Sequence, residues 1–189
     1  KVVDTFYAVP YLNRLTMRLV RESDDAEARR IADNYLSPMY RAYEQLIAQL
    51  RTGVLLTLRN GHPFGSHVPY LLDKEWSHVY LHLSRLALHT QHLLKDSRVS
   101  LFIAEPDEPE KSPLALQRLN LMGTGSLLPV GHDAYESVKT RYLKKFPQSK
   151  MMFGFGDFAL WELKMQDAHL VLGFGQAYQA YASTPNEWH

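Results

Sequence analysis

The chain contains no cysteine, which removes disulfides, zinc ribbons, iron–sulfur clusters and thiol nucleophiles together. That composition fits a cytoplasmic protein. A surplus of one charge is missing as well. The 21 basic and 20 acidic side chains leave a formal net charge of +1, far from the balance of a nucleic-acid binder. No apolar run approaches the roughly 20 residues that span a bilayer. Asp4, Arg14 and Arg18 make the first twenty residues a poor signal peptide. Neither nucleic acid nor membrane is therefore expected as a partner. The sequence has no G-x-G-x-x-G or G-x-x-x-x-G-K phosphate loop, no G-x-S-x-G elbow and no internal repeat.

What is present suits one domain of 189 residues with 46% hydrophobic side chains. Residues 1–22, interrupted by Pro10, read as an arm; residues 23–182 as the domain; residues 183–189 as a tail. Ser23 or Asp24 caps a first helix, and "MYRAYEQLIAQLR" gives a second. The period then changes. "GVLLTL" (53–58) reads as a buried strand, Asn60-Gly61 as a hairpin turn, and "FGSHVPYLL" as the returning strand. In "SHVYLHL", Val79, Leu81 and Leu83 alternate with His78, Tyr80 and His82, as in a half-exposed strand. A helix over 86–95 and the strand "RVSLFIA" follow. "EPDEPEKSP" (105–113) must be a surface loop. "LQRLNLMGTGSLLPV" is a long strand in which Gly123 and Gly125 mark bulges or close approaches. "HDAYESVKTRYLKKFP" is an amphipathic helix stopped by Pro147. Its cluster Lys139, Arg141, Lys144 and Lys145 reads as a solvated face. "DFALWELKM", a turn at Gln166-Asp167, and "AHLVLGFGQAYQA" complete a mainly β (α+β) pattern that favours a closed antiparallel barrel with peripheral helices.

The chemistry-bearing stretch is "HLSRLALHTQHLL" (82–94), where a strand hands over to a helix. Arg85, His89 and His92 follow at i, i+4 and i+7, one helical face. Ser84, Arg85 and a helix N-terminus converging on one point suit a phosphate; Ser84 acting as a plain N-cap over a solvated face is the competing reading. His78 and His82 lack a third partner at zinc spacing, so no metal site is expected. Ser66, His67 and Asp157 compose a triad on paper only, and hydrolysis is discounted.

"RTGVLLTLRNGHPFGSHVPYLLD", "LSRLALHTQHLLKDSRVSLFI" and "RLNLMGTGSLLPV", in that order, resemble the FMN-binding split barrels related to pyridoxamine 5′-phosphate oxidase. The resemblance covers roughly residues 27–180. It implies an antiparallel split β-barrel and a homodimer whose subunits share cofactor sites. By that resemblance Ser84 and Arg85 would take the flavin phosphate, with His89 and Thr90 beside it. Ser66, His67, Val68 and Pro69 would line the flavin ring, and Arg118 would reach it from the neighbouring subunit. "GDFALWEL" and "LGFGQAYQ" are similar to the heme-utilisation (HugZ/HutZ-type) branch of that fold, whose members bind and can degrade heme. There Asp157 would belong to the heme site, and the axial histidine lies in a C-terminal tail. This sequence departs from the branch at that tail, which reads "AYASTPNEWH" with His189 as its imidazole. The expected function is FMN-dependent oxidation of a small molecule. The alternatives are heme binding or degradation, and a non-catalytic binding or regulatory module. No acid or base stands out, so no catalytic residue is named.

Overall fold

The computed structural model describes residues 50–73, 78–173 and 176–181. The expected arm, the two leading helices, the "DKEW" turn beyond Asp73 and the tail with His189 lie outside them. The described residues form eight strands, β1 (Thr52–Arg59), β2 (His62–Pro69), β3 (Leu71–Leu72), β4 (His78–Ser84), β5 (Arg98–Ala104), β6 (Arg118–Leu128), β7 (Phe158–Gly173) and β8 (Gln176–Tyr181). They also include two α-helices, α1 (Leu88–Leu93) and α2 (Tyr135–Lys145). Strand order is β2-β1-β5-β6-β7-β4-β3, with β8 on β7. The antiparallel pairs include β1 with β2 and β5, β4 with β3 and β7, and β7 with β8.

The described residues divide between two compact units. One contains Arg51–Phe102 and Met122–Met165. Its β1–β2 hairpin turns at Asn60 and Gly61, whose φ angles of 51° and 80° are the left-handed pair a type I′ turn demands. Arg59 therefore pairs with His62, and the register runs unbroken to Thr52 opposite Pro69. The Asn-Gly expectation holds. So do the expected close approaches on β6. A Cβ built on Gly123 would run into the Lys164 carbonyl, and one on Gly125 would lie 3.1 Å from Leu163 and 3.2 Å from Leu93 side-chain carbons.

Two strand expectations need correction. β4 is buried from Val79 through Leu83 on both faces rather than half-exposed. Tyr80 joins a core of Leu71, Leu128, Val138, Tyr142, Phe146 and Leu160, and His82 stacks on Phe153 at 3.8 Å. Tyrosine and histidine read as polar in an alternating pattern, yet their rings bury well once α2 covers that face. The second correction is the turn at Gln166-Asp167, which does not exist. β7 runs straight through it. Trp161, Leu163, Met165 and Asp167 are all buried, so the period-two phase continues across the polar pair.

The basic cluster on α2 is only partly a solvated face. Arg141 donates to the Leu72 carbonyl at 2.8 Å, and the Lys145 ammonium sits 4.4 Å over the Tyr70 ring. Burial, and then the Arg51 charge, lower Lys145 to about 8.

The other unit includes Ile103–Leu121 and residues from Gln166 onward. Its acidic loop is exposed, as expected. Lys111 holds it by ion pairs to Glu105 (2.6 Å) and Glu108 (3.1 Å). Among the described residues, no helix is long and apolar enough to cross a membrane.

Candidate functional site

The β4–β7 register builds the site. Ser84, at the end of β4, lies opposite Phe158, at the start of β7. The turn leaving β4 is therefore forced against the turn entering β7, and four hydrogen bonds fasten them or shape the exit. The Ser84 hydroxyl donates to Asp157 Oδ2 at 2.6 Å. The Arg85 backbone N–H donates to the Asp157 carbonyl at 2.7 Å, and the Arg85 guanidinium donates to the Gly156 carbonyl. The Leu86 N–H donates to Ser84 Oγ at 3.1 Å.

The helix expected over 86–95 is shorter. It runs Leu88–Leu93, its N-cap is Ala87, and no side chain caps it. Ser84 is not its cap, because the hydroxyl closes the local turn through Leu86 N–H instead. Gln91 Nε2 donates to the Arg85 carbonyl and so fastens that turn to α1.

The three basic residues at i, i+4 and i+7 do not form one solvated face. Arg85 is exposed before the helix starts, His89 is half-buried, and His92 is buried. His92 Nδ1 lies 3.1 Å from Thr57 Oγ1, and its ring meets Phe64 edge-on at 5.0 Å. Burial, and then the neighbouring His92 imidazole, push His89 below its usual range. Thr90 is fully buried and its hydroxyl finds no partner. Thr57 was missed by sequence reasoning. The one hydroxyl inside the apolar run "GVLLTL" is the signal that could have found it, because a buried hydroxyl needs a partner.

Ser66, His67, Val68 and Pro69 occupy the last half of β2, at one end of the strand order. Val68 is buried, Ser66 half-buried, and His67 and Pro69 are exposed. The hairpin makes Arg59–His62 a hydrogen-bonded pair, and such pairs alternate along the ladder. The backbone groups of Gly65 and His67 consequently point outward from β1. Arg118 opens β6 in the other unit and donates to the Leu116 carbonyl at 3.2 Å. His78 lies 3.5 Å from Asp73, away from any joint site with the aromatic-packed His82. Among the described residues, no three histidine or acidic side chains converge as metal ligands.

FMN is the cofactor that the Ser-Arg resemblance implies, and the phosphate end does not fit this geometry. A serine hydroxyl has one proton to donate, and here Asp157 takes it. A phosphate at Ser84 would meet a carboxylate where it needs a donor. Heme fits better. Leu86, Leu88 and Phe155, within four residues of Ser84 or Asp157 in the sequence, are 81%, 53% and 45% exposed, and Arg85 is exposed as well. Exposed apolar side chains of that kind suit the face of a flat apolar macrocycle.

The fold and this strand-to-strand junction define the chain's class as a split β-barrel. The family description "CREG, beta-barrel" matches residues 43–189. The chain belongs to that family. A second description, "Tetracyclin repressor-like, C-terminal domain", matches residues 1–62, mostly outside the described residues. Over 118 residues the chain is 32% identical to the non-canonical heme oxygenase HOZ, chloroplastic, of Arabidopsis thaliana, covering 62% of this chain and 34% of that protein. It is 27% identical over 122 residues to heme oxygenase HutZ of Vibrio cholerae, covering 63% of this chain and 67% of that one. A heme binding protein from Mycobacterium smegmatis is similar in structure, with a TM-score of 0.66 and 27% identity, over 75% of this chain and 57% of that one. The chain thus spans about a third of the length of its chloroplastic relative. The resemblance to the heme-utilisation branch of the split barrels related to pyridoxamine 5′-phosphate oxidase is borne out.

Proposed function

We propose that this chain binds heme, with oxidative degradation of that heme as its activity, rather than working as an FMN-dependent oxidoreductase. The observation that carries the proposal is the Ser84–Asp157 bond, with Leu86, Leu88 and Phe155 exposed on the adjoining segments of chain. The bond spends the phosphate donor, and those side chains offer apolar surface in its place. The relatives named as heme oxygenases support the same choice. Heme would supply the iron that activates oxygen. In the proposal Arg85, which uses the guanidinium once on Gly156, keeps further N–H donors for an acceptor on the ligand. Asp157 holds the β7 entry turn in place, and His189 is the candidate axial imidazole. A cytoplasmic location and a homodimer sharing its sites belong to the same reading.

The FMN reading retains one supporting observation, the outward backbone groups of Gly65 and His67 at the end strand β2, which suit the edge of a flavin ring. Hemin titration followed at the Soret band tests the proposal. A saturable complex of one heme per chain is expected, with His189→Ala losing the low-spin spectrum and Asp157→Ala altering it. A tight complex insensitive to both substitutions would show that the wrong residues carry the site, and no saturable complex would remove the proposal.

A further inference from the structure

We infer that Asp157 is the specificity determinant that makes the Ser84–Arg85 turn reject phosphate-bearing ligands, and that without its carboxylate the same turn accepts them. The inference rests on reading this junction as the ligand-facing site.

Everything else a small phosphate clasp needs is already in place. The Ser84 hydroxyl is held at a fixed angle by the Leu86 N–H. The Arg85 main chain is fixed from both sides, by its N–H on the Asp157 carbonyl and by its carbonyl on Gln91. The guanidinium is exposed and keeps N–H donors beyond the one on Gly156. The Asp157 side chain alone contradicts that arrangement. Its Oδ2 takes the serine proton at 2.6 Å and puts a carboxylate where phosphate oxygens would sit. A phosphate hydrogen-bonded to Ser84 would lie beside that carboxylate, and the two like charges would repel.

The other contacts between the two turns do not use the Asp157 side chain. The Arg85 N–H reaches the Asp157 carbonyl and the guanidinium reaches the Gly156 carbonyl, so the turn keeps its shape when the carboxylate goes. Asp157→Asn preserves size while removing the charge. Its amide can rotate to donate, which frees the Ser84 proton for a ligand.

The test compares FMN with riboflavin, which differ only in the phosphate, by quenching of flavin fluorescence at neutral pH. Wild-type protein should bind the two with Kd values within about threefold. Asp157→Asn should bind FMN at least tenfold more tightly than riboflavin, and adding Arg85→Ala should return the ratio to near one. Asp157→Ser, which keeps a hydroxyl for the turn, should repeat the gain and covers the case in which the asparagine variant fails to fold. A tenfold or larger FMN preference in the wild type would overturn the inference. So would a ratio near one in both carboxylate-free variants, or no flavin binding by any variant up to millimolar concentration. Hemin titration of the same wild-type preparation is scored separately. A failure there would end the heme proposal and leave the flavin ratio to stand or fall alone.

Discussion

His82 should make the fold acid-labile, and the effect is large enough to isolate. Its ring is buried, stacked on Phe153 at 3.8 Å with an interplanar angle of 9°, and met edge-on by Tyr142 at 5.8 Å. Burial alone lowers its pKa from 6.5 to about 4. The folded state keeps the imidazole neutral, whereas the unfolded chain takes up a proton below about pH 6.5. The associated stability is therefore complete above that pH and is lost progressively as pH falls towards 4. At 1.36 kcal/mol per pKa unit, the loss from this one group reaches about 2.5 kcal/mol by pH 4.5. Many carboxylates titrate near that window, so the measurement is a difference. Urea unfolding of wild type and His82→Phe, which keeps an aromatic ring against Phe153, would be compared between pH 7.5 and 4.5. The wild type should lose about 2.5 kcal/mol more than the variant, and its midpoint should fall accordingly. Parallel pH profiles would refute the reasoning, since they would mean that the ring is hydrated or protonated without penalty.

Two further outcomes test the packing and the assembly. Gly123→Ala should destabilise by about 3 kcal/mol or more, because its Cβ meets the rigid Lys164 carbonyl; Gly125→Ala crowds two leucine side-chain ends and stands 3.8 Å from the Ser97 carbonyl, an ordinary contact, and should cost less in the same thermal melt. The proposed homodimer should scatter light at twice the chain mass at micromolar concentration, and a heme-binding monomer would end the shared-site idea.

The strand framework was legible because its signals are local. Asn60-Gly61 can hardly do anything but turn, and Gly123 and Gly125 stand in a long apolar strand where only close packing justifies them. The misreadings arose where tertiary contacts decide. Tyr80 and His82 look polar until α2 and Phe153 cover them. Gln166-Asp167 looks like a turn until the burial of Met165 and Asp167 in one phase shows a strand. Ser84 was singled out for its chemistry, yet its partner Asp157 is 73 positions away, and only the β4–β7 register brings them together. The sequence treats the Ser-Arg turn and Asp157 as belonging to two different ligands. The fold brings them into direct hydrogen-bond contact, and the proposal of heme over flavin phosphate is built on that contact.

The most direct test of the central claim is a competition in one vessel. The purified protein would be dialysed against equal concentrations of hemin and FMN, and the absorption spectrum of the retained complex recorded. A Soret band corresponding to one heme per chain, with no flavin band, is expected. A retained flavin spectrum without a Soret band would contradict that claim.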